Sequence, residues 1–508
     1  METTETWNRV GPGQMKPERV TKDSSTQTDC RIEGHGPRLS EVNLHTLLSL
    51  WMEIFPQTQP EDIVHNQSQV RRVGLVVVRD GKVVGLHCSA PELHAGQAAI
   101  IQHGNALAGC QLYFSRRPCA TCFKMLINVG VSLISFWPGD PEVSILRSDD
   151  VLGEAPLDAM ATEILKSNSR PQICVLLEPL VPGLAQFISE TSRKSDFMEV
   201  IPDQQGLDTD ELYNKEWRTH LKLFSGQFLV KSPQQHQKIL THMGLENFGL
   251  DPCFSNLRNN MRELVEVLAA VAAGLPQQHY GFYREQRGTP QPSSLPHPEG
   301  LPQEVARHCI IQARLLSHRT EDPKVGVGAV IWSTCQSAFC DGTGHLYLLG
   351  CGYNAYPAGS QYAEYPQLDS KQEGARQRRK YRYIVHAEQN ALTSMNQAAN
   401  PEEASMLFVT KCPCDECVPL IRGAGITHIY TTDQDRDKDK GDISYLKFSN
   451  LNNINKFTWQ TSPSICTAAS SHQSNGVGGK HSRQAEEDES PRSKKMCGTR
   501  SHNLHTVS

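Results

Sequence analysis

No run in this 508-residue chain approaches the ~18 apolar residues that a transmembrane helix needs. The most apolar stretch, Leu264 to Leu275, is short and contains Glu266, so no membrane partner is expected. The opening METTETWNRV has neither a basic n-region nor an apolar h-region, which argues against secretion. The closing His-Thr-Val-Ser carries no lipidation motif. Cysteine is sparse, at 16 of 508 residues, which is too little for a disulfide scaffold. With no export signal these cysteines read as reduced thiols, some of them available to a metal. A dominant charge is also lacking: 50 Lys and Arg stand against 55 Asp and Glu, a formal charge of −5. A protein that grips nucleic acid over its whole surface is usually basic, so nucleic acid is not the expected partner, although a local patch remains compatible. What is present is 38% hydrophobic and 21% charged residues at a mean hydropathy of −0.45, the balance of soluble cores separated by polar segments. At roughly 150 residues per domain the length suggests about three domains.

Residues 1–38 are polar, without periodicity, and are expected to be disordered. From Leu39 the pattern changes. LSEVNLHTLLSLW spaces its apolar residues as a helix does, with Ser40 as N-cap. RRVGLVVV, Asp80-Gly81 and KVVGL read as a β-hairpin. A helix over 91–102, a strand over 111–115 running into PCATC, a helix over 123–130 and a strand over 131–137 follow. The order then recurs: a helix over 304–318, strands over 325–332 and 346–353, a helix beginning at 383, a strand over 406–411 running into CPCDEC, a helix over 418–425 and a strand over 426–432. Two copies of one order indicate a duplicated α/β domain whose sheet starts as a hairpin, continues with parallel pairing and carries helices on both faces. The expected boundaries are 39–142 for the first copy, with an extension toward 180 left open, and 303–458 for the second. Between them lie a partly helical intervening region, 143–283, and a Pro-rich linker, 284–302; a disordered tail is expected over 459–508.

The strongest chemical signal is His386-Ala387-Glu388 followed, after 24 residues, by Pro413-Cys414-Asp415-Glu416-Cys417. One histidine and two cysteines are ligands that zinc accepts, and a helix start favours the thiolate form of cysteines placed there. Three protein ligands leave a fourth tetrahedral position for water, which suits catalysis. Glu388 sits beside that position, and the full pattern is the signature of zinc-dependent nucleobase deaminases.

On these residues, together with VGVGAVIW (325–332), GCGYNAYPAG (350–359) and YRYIVHAEQNAL (381–392), the second copy resembles the deoxycytidylate (dCMP) deaminase branch of the cytidine deaminase superfamily. The resemblance implies a mixed five-stranded sheet flanked by helices in each copy, a homo-oligomer, and Asn354 in contact with the sugar or phosphate of a nucleotide. It also implies a hydrolytic deaminase of free cytosine nucleotides, dCMP or dCTP, in which Glu388 shuttles protons beside a zinc-activated water. Deamination of nucleosides or of cytosine in a polynucleotide, and a zinc scaffold without turnover, are the other readings. Lys371, Arg376, Arg378, Arg379, Lys380 and Arg382 form a basic segment suited either to phosphate or to solvent.

The first copy repeats the ligands as His94, Cys119 and Cys122, but Gly96 stands where the second copy has Glu388. It is therefore expected to bind a second zinc without catalysing. In the tail, Lys480, Arg483, Arg492, Lys494 and Lys495 fit a loose two-part import signal read by nuclear transport receptors, giving an expected cytoplasmic location with nuclear entry.

Overall fold

The computed structural model describes residues 37–56, 70–147, 153–199, 208–277, 280–285, 300–322, 325–335, 342–359, 380–395, 398–441 and 443–461. The first copy opens with helix α1 (Glu41–Glu53), where the Ser40 hydroxyl accepts from the Asn43 N–H as its cap. Strands β1 (Gly74–Arg79) and β2 (Lys82–Cys88) pair through a two-residue turn in which Asp80 and Gly81 both have positive φ, 51° and 72°. Helix α2 (Ala95–His103), β3 (Gln111–Phe114), α3 (Ala120–Val129) and β4 (Leu133–Phe136) follow. After α4 (Glu154–Ser167) comes β5 (Gln172–Cys174), which completes a five-stranded sheet of order β2-β1-β3-β4-β5. Its first two pairings are antiparallel and its last two parallel. Leu75 to Val78 of β1 are buried, as a central strand covered on both faces requires.

Five helices then build out the middle of the chain: α5 (Leu184–Arg193), α6 (Asp196–Glu199), α7 (Thr209–Phe228), α8 (Pro233–His242) and α9 (Cys253–Ala273). Helix α9 buries Leu264, Val265 and the run Val267–Ala273. It lies against α5 and α7 on one side and against α1 of the first copy on the other. The intervening region is thus part of the common core.

The second copy consists of β6 (Tyr280–Arg284), α10 (Gln303–Ser317), β7 (Gly328–Thr334), β8 (Leu346–Tyr353), α11 (Ala387–Thr393), β9 (Ser405–Val409), α12 (Cys417–Gly423), β10 (His428–Thr431) and β11 (Asn455–Thr461). Its sheet has six strands, in the order β6-β11-β10-β9-β7-β8. Five of them repeat the arrangement of the first sheet. The sixth, β6, comes from the stretch divided above between intervening region and linker, and runs antiparallel to β11. Residue 459 is likewise no part of a tail: Trp459 is fully buried in β11. Arg38, expected in the disordered segment, is buried and pairs with Glu321 at 3.3 Å. The short, Gly-interrupted YGFYR and the polar-rich NKFTWQT lack a clean alternating pattern, because burial there comes from neighbours distant in sequence.

The duplication extends to detail. A Cβ on Gly74 would lie 2.0 Å from the Ser49 carbonyl oxygen, and one on Gly328 would lie 1.8 Å from that of Ala313. Each copy therefore uses a glycine at the start of the strand that follows its first helix to let that helix press on the sheet. The two first helices also meet. Trp51 stacks on His308 with centroids 4.5 Å apart, and its indole N–H donates to the His308 carbonyl at 3.0 Å. One continuous cluster of buried side chains runs from α1 and β1 through α9 to α10 and β11. Among the described residues no helix is long and apolar enough to cross a membrane.

Candidate active site

Each copy brings two helix N-termini together at one end of its sheet. In the second copy His386 is the N-cap of α11, and its backbone N–H donates to Gln389 Oε1 at 2.9 Å. The Asn390 side-chain amide donates to the Tyr353 carbonyl at 2.7 Å, fastening α11 to β8. Cys414 precedes α12 and its carbonyl accepts from the Val418 N–H at 3.0 Å; Cys417 lies in the first turn. Because Cβ atoms at these positions face the same end, the ring and both thiols converge. His386 Nδ1 is 3.2 Å from Cys414 Sγ and 3.3 Å from Cys417 Sγ, and the two sulfurs are 3.7 Å apart. Bonds of about 2.1 Å to nitrogen and 2.3 Å to sulfur in tetrahedral geometry place ligand atoms roughly 3.5–3.8 Å apart. The donor set and its spacing therefore fit zinc. Hydrogen bonds from Cys417 and from the His386 ring lower the Cys414 thiol pKa, favouring the thiolate a metal requires.

Glu388, two residues along α11, is buried at 5% exposure beside the His386, Cys414 and Cys417 cluster. Burial pushes its carboxyl up to about 7, with the His386 charge opposing. The loop after β10 closes over the pair of helix ends. Asp415 accepts from Ser444 Oγ at 2.6 Å and from the Lys447 N–H at 2.7 Å, and buried Tyr445 packs with Cys412, Cys414 and Cys417. This loop carries no sequence signal that would have placed it here.

Asn354 is brought near the site by the antiparallel bridge of its neighbour Ala355 to Val385. Its side chain is engaged within the chain: Oδ1 accepts from the Val327 N–H at 2.7 Å and from Thr320 Oγ1 at 2.8 Å, and Nδ2 donates to the Val325 carbonyl at 2.8 Å. It therefore ties Thr320, Val325 and Val327 together. Of the basic segment, Arg382 is exposed, whereas Lys371, Arg376, Arg378 and Arg379 and the side chain of Lys380 lie outside the described residues. So do Lys480, Arg483, Arg492, Lys494 and Lys495.

In the first copy His94 is the N-cap of α2 and Cys119 that of α3, with Cys122 in the first turn of α3. The His94 N–H donates to Gln97 Oε1 at 3.0 Å, so Gln97 matches Gln389 and does not stand in for Glu388. His94 Nδ1 lies 3.4 Å from Cys119 Sγ. One member of this site carries no sequence motif. Glu142, 1% exposed in the turn after β4, joins His94, Cys119 and Cys122 in a single cluster of ligand atoms. The second cluster holds His386, Cys414 and Cys417 alone among the described residues.

Sheet order, paired helix ends and twin His–Cys–Cys clusters define a class: a duplicated α/β deaminase fold with metal-type sites. Residues 53–137 and 303–432 match the cytidine and deoxycytidylate deaminase zinc-binding region, and the chain belongs to that family. It is 55% identical over 449 residues to cytidine and dCMP deaminase domain-containing protein 1 of Danio rerio, covering 86% of this chain and 93% of that one. Deoxycytidylate deaminase of Homo sapiens is 30% identical over 145 residues, 27% of this chain and 70% of that one. Among solved structures, dCMP deaminase from the cyanophage S-TIM5 in complex with dCMP and dUMP is 20% identical, with a TM-score of 0.22, over 31% of this chain and 98% of that one.

Proposed function

We propose that the second copy hydrolyses the exocyclic amine of cytosine in free deoxycytidine nucleotides, dCMP or dCTP, giving the uracil form and ammonia. The observation that carries this reading is the placement of Glu388, a buried carboxyl in the first turn of the helix that His386 caps, two residues from one of three clustered zinc-type ligands. His386, Cys414 and Cys417 would hold the ion. When bound, zinc supplies an activated water and a Lewis acid. Glu388 does the rest of the proton work: it accepts a proton from that water and delivers it to cytosine N3. After oxygen adds to C4, Glu388 takes the second proton and passes it to the amine, and the C4–N bond breaks to release ammonia. One carboxyl serving first as base and then as acid needs reach to both the water and the base, and its place two residues after His386 at the start of α11 supports that reach. The free-nucleotide substrate class is supported by the family and by the deoxycytidylate deaminase relatives.

The test is ammonia release from each cytosine nucleoside and nucleotide, varied in sugar and phosphate number, with a cytosine-containing oligonucleotide as a further arm. Turnover of a free deoxynucleotide is expected, and turnover of the oligonucleotide alone would overturn the proposal. Glu388→Gln should lose activity by at least about a hundredfold while keeping its metal. A Glu388→Gln protein as active as the native chain would remove Glu388 from the reaction.

A further inference from the structure

We propose that Glu142 is the fourth protein ligand of a closed zinc site in the first copy, its Oε1 filling the position that the second copy leaves open for water. The inference concerns the first copy and stands whether or not the second turns over cytosine.

The geometry separates a ligand from a supporting group. A residue that merely orients a metal-bound histidine engages the ring nitrogen turned away from the metal. Glu142 Oε1 instead lies 2.9 Å from His94 Nδ1, the same nitrogen that faces Cys119 Sγ at 3.4 Å. The carboxylate is therefore on the ligand side of the ring. Its other oxygen is already committed: Oε2 accepts from the Cys119 N–H at 2.7 Å. That bond leaves Oε1 to bind one ion through one oxygen and links the carboxylate directly to the cysteine loop. His94, Cys119, Cys122 and Glu142 contribute atoms within 4.8 Å of one another, giving nitrogen, two sulfurs and oxygen, a complete tetrahedral set for zinc.

The turn that presents Glu142 is built to hold it. The Glu142 N–H donates to the Arg117 carbonyl at 3.0 Å, and its carbonyl accepts from the Arg71 N–H at 2.7 Å. Asp140, two residues before it, accepts from Ser144 Oγ at 2.6 Å and the Ile145 N–H at 3.1 Å, and pairs with Arg71 at 2.5 Å. Arg116 ties the same turn to α1, donating to the Asp140 carbonyl at 2.8 Å and pairing with buried Glu53 at 2.6 Å. Gly96 completes the picture. A Cβ there would sit 3.1 Å from Cys122 Cβ and 3.2 Å from its Sγ, so the place of the proton-shuttling side chain is closely filled. The first copy thus has a carboxylate at the metal, supplied by a different element and in a different role. Three ligands with an open position suit catalysis, whereas four suit structure.

The test uses the full chain with both sites loaded with Co2+ and titrated with thiocyanate, read by visible absorption. In the native chain one of the two cobalt centres should change its spectrum; in Glu142→Ala both should. Zinc release to a chelating dye is the second readout. The native chain should release in two phases, and Cys414→Ala should remove the fast one. Glu142→Ala should accelerate the slow phase at least about tenfold and leave the fast phase unchanged. Glu142→Gln, which keeps the side-chain shape, should act in the same direction. Should Glu142→Ala not accumulate as folded protein, the native titration and Glu142→Gln decide. A native chain in which both cobalt centres answer to thiocyanate, a chain that binds metal only at His386, or a slow phase indifferent to Glu142 would overturn the proposal.

Discussion

Replacing Trp51 by alanine tests whether the two copies share one core. The indole is 6% exposed, stacks on His308 at 4.5 Å with an interplanar angle of 12°, and meets Phe224 edge-on at 6.1 Å. Removing a buried tryptophan side chain costs about 3–5 kcal/mol in lost transfer and packing energy. Losing the indole N–H bond to the His308 carbonyl adds about 1 kcal/mol, because that carbonyl sits where water cannot replace the donor. Trp51→Phe keeps an aromatic face and loses mainly the bond and some volume, so about 1–2 kcal/mol is expected for it. Against a native stability of about 5–15 kcal/mol, the alanine change removes about a quarter or more. The assay is urea unfolding followed in parallel by tryptophan fluorescence and by zinc retention at the His386 site. Both signals should move to lower urea together, since Trp51 belongs to the first copy and His308 to the second. A midpoint shift worth less than about 1 kcal/mol for Trp51→Ala would refute the shared core. So would a shift in fluorescence with the zinc signal left at the native midpoint.

Acid should loosen the same core. Burial drives His308 well below its ordinary pKa, His318 down to about 3 and His220 down to about 4. The unfolded chain protonates these rings below about 6.5 while the folded chain keeps them neutral, so stability falls as pH drops from 6.5 toward 4 by up to about 1.4 kcal/mol per unit for each ring. His308→Leu should flatten that slope in urea midpoints taken at pH 7, 6 and 5, and an unchanged slope would exclude His308 as a contributor. At the other end of the chain, Trp459→Ala should cost about 3–5 kcal/mol, since the ring is fully buried and its N–H donates to the Phe197 carbonyl at 3.1 Å. A chain ended after residue 458 also loses the end of β11 and its pairing with β6, and should unfold at lower urea than Trp459→Ala.

What was legible in the sequence was chemistry tied to short spacing. His386, Cys414 and Cys417, with Glu388 beside them, announce themselves because few other arrangements of a histidine, a carboxylate and two thiols recur on successive helix starts. Ser40, Asp80 and Gly81 were legible for the same local reason, each satisfying a backbone demand within a few residues. Glu142 was not. It belongs to no short motif that recurs in the second copy, and it sits on a turn whose course depends on Arg71, Arg116 and Asp140 meeting in three dimensions. The strands at 280–284 and 455–461 were hidden likewise, since their burial is conferred by each other and by Phe197. Asn354 was legible in part. Its motif suggests a nucleotide contact, and the structure adds a local task the motif did not announce: its amide bonds Val325 and Val327.

The pairing of β6 with β11 has a consequence for how this chain is made. Tyr280 and Phe282 leave the ribosome roughly 170 residues before the strand that covers them. At about 5–20 residues per second, that edge waits some 10–30 seconds with its backbone unsatisfied and its aromatic rings bare. The carboxy-terminal half is accordingly a unit that cannot be cut free at the proline-rich connector and transplanted, because the seam that seals its sheet was synthesised on the far side of that connector.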